Sequence, residues 1–261
     1  PWFAENLWQA SADGGLAAWL YAGCEVDAQL AGGRKIRLRE ETDYPFSGHV
    51  AVALACDAPA AFPLYLRIPR WCRDFRVTVN GEAAAFDTHP GHYVRLSRTW
   101  SSGDVVAIGM EMTLGLTTWP RNGSVTVDRG PLSYSLKIDE RWQRCGGTDD
   151  WPEWELFPAS PWNYGLRLDS GNPLAGFTVV EKKQVADQPW TLQNAPVEIR
   201  ARASRIPAWK LVNETVDVLR DSPIRASEPD ETVTLVPLGC ARLRMSCLPV
   251  LTDAPDAREW E

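Results

Sequence analysis

Phe75-Arg76-Val77-Thr78-Val79-Asn80-Gly81-Glu82-Ala83-Ala84-Ala85-Phe86 is the stretch that decides the fold. Apolar and polar residues alternate up to the Asn-Gly pair, which places Phe75, Val77 and Val79 on one face of a strand. Asn-Gly supplies the two positive φ angles of a type I′ turn, so the segment reads as a β-hairpin. Working outward, period-two runs recur at 24–28 and 35–40 with Gly32-Gly33 between them as a turn, and again at 49–55, 63–68, 93–96 and 105–110. Further turns fall at Pro90-Gly91 and Gly103-Asp104. About eight short strands by Met112 imply an antiparallel sandwich.

A second set of strands is expected at 124–127, 132–138, 177–180, 197–203, 232–237 and 241–246. Between them, 141–165 reads as a long loop carrying Trp142, Trp151, Trp154, Phe157, Trp162 and Tyr164, and loops of that length are usually functional or interface-forming. At the start, Phe3, Leu7 and Trp8 share one helical face, so 1–12 is expected to be helical, stopped by Gly14-Gly15. The expected fold is mainly β, with two consecutive antiparallel β-sandwich domains at 21–115 and 116–253. A segment at 1–20, read as the terminal helix of an upstream helical domain, precedes them, and a polar, frayed tail at 254–261 follows.

Composition narrows function. The 261 residues hold 27 Lys plus Arg against 34 Asp plus Glu, so the net charge is 27 − 34 = −7, unlike a nucleic-acid binder. No run approaches the roughly 18–20 apolar residues of a membrane helix. Thirteen tryptophans suggest carbohydrate contact, because the apolar face of a sugar stacks on an indole, although any single Trp is more often a core residue. Trp151, Trp154, Trp162 and Tyr164 are the carbohydrate-contact candidates. Trp2, Phe3, Trp8, Trp19, Arg67 and Trp71 are the domain-interface candidates, the Arg67–Trp71 segment being read as an Arg next to a Trp that stacks guanidinium on indole at an interface, ahead of the alternative of substrate contact.

Catalytic and metal signals are weak. Cys24, Cys56, Cys72, Cys145, Cys240 and Cys247 form no CxxC pair, which argues against a structural zinc site and leans towards a reducing, cytoplasmic compartment. His89 and His92 flank Pro90-Gly91 with no third ligand near. Glu40-Glu41 point to opposite faces of a strand, and Glu153 with Glu155 is a further acidic pair; Asp149-Asp150, beside Trp151 and Trp154, read as solvated turn acids ahead of the alternative of a sugar- or calcium-binding loop. Neither GxSxG nor GxGxxG nor a P-loop is present. No catalytic residue and no metal ligand is assigned.

The ordered string of segments is more specific than any one of them. Gly15-Leu16-Ala17-Ala18 with Tyr21, Glu41-Thr42-Asp43-Tyr44-Pro45-Phe46, and the run from Phe62 through Arg67-Ile68-Pro69-Arg70-Trp71-Cys72 resemble glycoside hydrolase family 127, the β-L-arabinofuranosidase family. The likeness continues through Val79-Asn80-Gly81, Gly91 with Tyr93, and Arg98-Thr99-Trp100 with Gly103-Asp104. It then extends to Arg129-Gly130-Pro131-Leu132, Ser160-Pro161-Trp162-Asn163-Tyr164 and Leu235-Val236-Pro237-Leu238-Gly239. The resemblance implies a multidomain hydrolase of arabinose-containing glycans, with an (α/α)6 catalytic barrel upstream in the same polypeptide and two β-sandwiches after it. It implies zinc, a cysteine nucleophile and a glutamate acid/base in that barrel. None of these carries over to Cys24, Cys56, Cys72 or any other residue here, so the chain is expected to be inactive alone.

Overall fold

A computed structural model describes residues 2–255 and 257–260; Pro1 of the expected helix, and Asp256 and Glu261 of the expected tail, lie outside them. The chain divides into two compact units, Pro1–Thr113 and Leu114–Glu261. No helix among the described residues is long and apolar enough to cross a membrane.

Unit 1 begins with α1 (Trp2–Glu5), followed by β1 (Trp8–Ala10), β2 (Leu16–Ala18), β3 (Cys24–Gln29), β4 (Lys35–Thr42) and β5 (His49–Cys56). β6 (Ala60–Arg67), β7 (Phe75–Val79), β8 (Glu82–Ala83), β9 (Tyr93–Trp100) and β10 (Val105–Met110) complete it. Two sheets, ordered β1-β2-β6-β9 and β3-β4-β5-β10-β7-β8, turn their apolar faces to one core. Leu64, Leu66, Val94 and Trp100 come from the first sheet, and Ile36, Leu38, Val52 and Ile108 from the second. Strict alternation produces this, because a period of two sends every second side chain inward. The Asn80-Gly81 hairpin is as read: Asn80 has φ 53° and Gly81 φ 84°. Asn80 also accepts from the Val105 N–H (2.8 Å) and donates to Asp104 (2.8 Å), tying the turn to β10.

The beginning of the chain departs from expectation. Helix covers only Trp2–Glu5. Leu7 and Trp8 are buried in the core of unit 1, and β1 pairs antiparallel with β2. Gly14, at φ 78°, and Gly15 form the connecting turn instead of stopping a helix. β2 in turn pairs parallel with β6, Leu16 against Leu64. A single turn of isolated helix is weak, so the sheet pairing and the burial of Trp8 prevail over local pattern.

Unit 2 contains β11 (Leu114–Thr118), β12 (Val125–Arg129), β13 (Leu132–Leu136), β14 (Glu140–Gly147), β15 (Pro152–Pro158), β16 (Tyr164–Arg167) and β17 (Phe177–Glu181). It continues with β18 (Val197–Arg205), β19 (Leu211–Val212), β20 (Thr215–Val216), β21 (Ile224–Arg225), β22 (Glu231–Pro237) and β23 (Val250–Thr252). The main path runs β11-β12-β13-β22-β18-β16-β23-β21, with β17 on β18, and it is parallel only where β23 meets β16 and β21. The expected 141–165 loop is largely the β14–β15 ribbon. Its sequence hid the ribbon because β14 lacks the apolar alternation that marks a strand, and the short Glu153-Trp154-Glu155-Leu156 alternation of β15 lies between two prolines. The expected strand at 241–246 is absent: Arg244 Nε closes back on the Ala241 carbonyl (2.9 Å), and Met245 is held by Ser135 Oγ (2.9 Å). Described residues of the tail are held in place. Trp260 packs on Trp209 with centroids 5.0 Å apart, and Arg258 pairs with Asp221 (2.7 Å).

Candidate functional site

The candidate residues fall in two places, one in each unit. In unit 1 the outer face of β6 and β9 carries Tyr65, Arg67, Tyr93 and Arg95 in register, Tyr65 against Arg95 and Arg67 against Tyr93. Trp19 stacks on Tyr93 (5.9 Å, 29°), and its carbonyl accepts from Arg67 Nε (2.6 Å). Arg67 therefore holds the Trp19 backbone. Its own carbonyl accepts from the Tyr21 hydroxyl (2.7 Å). Asp13 takes hydrogen bonds from Ser11, Tyr65 and Arg95, which pull its carboxyl down to about 2. Trp71 is half-buried against the core, while Trp2 (85% exposed), Phe3 and Trp19 present bare apolar surface. Trp8 is no surface residue at all.

Behind this face lies a group that the sequence reading passed over. Glu41 points out and pairs with Arg39 (2.9 Å), whereas Glu40 is 2% exposed. Each Glu40 oxygen has one partner: Trp8 Nε1–H donates to Oε2 (2.8 Å) and the Ala22 N–H to Oε1 (3.0 Å). Burial pushes the carboxyl up to about 7, and the two donors only partly oppose it. The signal was present in the alternation of β4, where Glu40 falls in phase with Ile36 and Leu38.

Unit 2 scatters the four carbohydrate-contact candidates. Trp151, 82% exposed, sits at the tip of the β14–β15 ribbon. Trp154 meets Trp142 edge-on (6.1 Å, 78°), and Arg242 lies over the Trp142 ring (5.1 Å). Trp162 packs edge-on against the buried Trp209 (5.3 Å, 72°), away from the tip. Tyr164 is buried, with its hydroxyl on Glu231 (3.0 Å). Asn163 explains much of the motif around it: its Nδ2 donates to the Ile206 and Trp209 carbonyls (2.9 and 3.1 Å), stapling β16 to the chain beyond β18.

Among the described residues no three His, Cys, Asp or Glu side chains converge as a metal site. His89 and His92 lie with ring centroids 4.0 Å apart and no third donor. The six cysteines are all free and lie on different elements.

Residues 15–112, which span β2 to β10, match the family model described as the GH127 middle domain of β-L-arabinofuranosidase. The resemblance to glycoside hydrolase family 127 holds. Among solved structures, a family 127 β-L-arabinofuranosidase from Geobacillus stearothermophilus T6 aligns with a TM-score of 0.65 at 25% identity, over 94% of this chain and 35% of its own. A second glycoside hydrolase gives a TM-score of 0.64 at 25% identity, over 94% and 37%. A family 127 β-arabinofuranosidase gives 0.63 at 20% identity, over 93% and 37%, and speaks to the fold alone. The chain thus spans little more than a third of the length of the family 127 structures it matches. No curated protein matches it.

Proposed function

We propose that this chain is the non-catalytic β region of a glycosidase acting on arabinose-containing glycans, bracing a helical catalytic barrel in the same polypeptide and shaping one side of its sugar cleft. The observation that carries the reading is the middle-domain match over 15–112, within a likeness that covers almost all of this chain and about a third of a β-L-arabinofuranosidase. The exposed Trp2, Phe3 and Trp19 supply an apolar surface of the kind that docks another domain. What these side chains offer is packing and orientation; none is placed as nucleophile or acid/base. The test is direct. The purified chain should release no 4-nitrophenol from 4-nitrophenyl β-L-arabinofuranoside, and turnover that survives repurification would overturn the non-catalytic reading. A second reading, a carbohydrate-binding module using the Trp-rich ribbon, is favoured by the exposure of Trp151 and predicts glycan binding lost in Trp151→Ala.

A further inference from the structure

A cleft of about 580 Å³ opens in unit 2 at the base of the β14–β15 ribbon, walled on the other side by the β19–β20 hairpin. That volume falls within the range of small-molecule sites. We propose that this cleft, not the ribbon tip, binds a neutral sugar ring, with Trp162, Leu211 and Met245 against its C–H face and Glu155, Glu214 and Arg244 hydrogen-bonding its hydroxyls. The proposal rests on the glycan reading above only for its choice of probe.

The lining decides the class of ligand. Its floor is apolar, yet three charged side chains line it and none has an ion-pair partner among the described residues. Arg244 spends only Nε, on the Ala241 carbonyl, which leaves its terminal nitrogens uncommitted. A purely apolar ligand would strip water from two carboxylates and a guanidinium and return nothing. A cation would suit the carboxylates and oppose Arg244. Sugar hydroxyls donate to carboxylates and accept from a guanidinium, and the ring C–H face covers indole and aliphatic surface, so one ligand satisfies the whole lining.

The walls are set in advance. Trp162 is wedged on Trp209, whose Nε1–H donates to the Asp217 carbonyl (2.9 Å) just beyond β20. Met245 is fixed by Ser135, and its carbonyl accepts from the Leu136 N–H (2.9 Å). The β19–β20 turn is made by Asn213 (φ 49°) and Glu214 (φ 63°), two non-glycine residues in the left-handed region. Glycine would turn there more easily, so the Glu214 side chain is kept at a cost in backbone strain.

That cost supplies a clean test. Glu214→Gly relieves the turn while deleting one carboxylate. In titration calorimetry with an arabinofuranosyl disaccharide, it should weaken binding about tenfold with the melting temperature unchanged or raised. Trp162→Ala should abolish binding, and Trp151→Ala should leave it intact. Unchanged affinity in Glu214→Gly, loss in Trp151→Ala, or no heat with any neutral oligosaccharide would overturn the proposal. Binding of a xylo-oligosaccharide alone, with the same dependence on Glu214 and Trp162, would support the cleft while removing arabinose from the proposed function.

Discussion

Raising the pH from 5 to 8 should weaken unit 1 through one side chain. Glu40 has a carboxyl pushed from 4.5 to about 7 by burial, so the folded chain holds its proton over a window in which the unfolded chain has released it. Stability from this group is therefore full below about pH 4.5, falls as pH rises through 7, and is level above. A shift of between two and three pH units at about 1.4 kcal/mol each amounts to about 3 kcal/mol, a large share of a domain's margin. Two measurements read it. The Trp8 indole N–H, 2.8 Å from Glu40, should shift in proton–nitrogen spectra with a midpoint near pH 7. Urea unfolding of Glu40→Gln should lose the downward slope between pH 5 and 8 that the parent shows, because the amide keeps a carbonyl acceptor but carries no charge. A Trp8 midpoint below pH 5, or equal slopes in the two proteins, would show that the carboxylate is charged and solvated in the fold, and the reasoning would fail.

Other substitutions probe the fold independently. Gly48→Ala should destabilise unit 1 by more than about 2 kcal/mol in denaturant melts, since a Cβ would stand 1.9 Å from the Met110 carbonyl oxygen. Trp100→Ala should cost about 3–5 kcal/mol: the indole is fully buried and donates to the Phe62 carbonyl (3.0 Å). Asp104, held low by hydrogen bonds from Asn80 and the Ser101 N–H, adds stability above its ordinary range that is lost as pH falls below about 4. Asp104→Ala should accordingly flatten the acid limb of a thermal-melt series.

How much of this was legible followed from where each strand finds its partner. In 24–56 the consecutive strands pair in space, and there as in 75–110, where β9 and β10 find partners farther back in the chain, one face is more buried than the other and alternation located the strands. Residues 7–18 failed as a reading because their fate depends on β6, almost fifty residues on, and nothing local in Leu7-Trp8-Gln9-Ala10 announces that partner. The β14–β15 ribbon failed for the opposite reason: its partner is near, but β14 has no periodicity to read and β15 offers only the four residues Glu153-Trp154-Glu155-Leu156. Among the candidates, tryptophan content drew attention to 141–165 but could not separate Trp151 at the ribbon tip from Trp162, which packs on Trp209. Leu211 and Val216, flanking Asn213-Glu214, carried a hairpin signal of their own that the absence of glycine concealed.

The parallel pairing of Leu16 with Leu64 also sets an order of events at the ribosome. Strands β1 and β2 can pair as they emerge, with Trp8, Leu16 and Ala18 ready to be covered, but the second neighbour of β2, strand β6, is still to be synthesised. At about 5–20 residues per second the wait lasts a few seconds. Throughout it, the nascent chain displays an indole and two aliphatic side chains to whatever is nearby, so this part of the unit is made well before the strand that covers it.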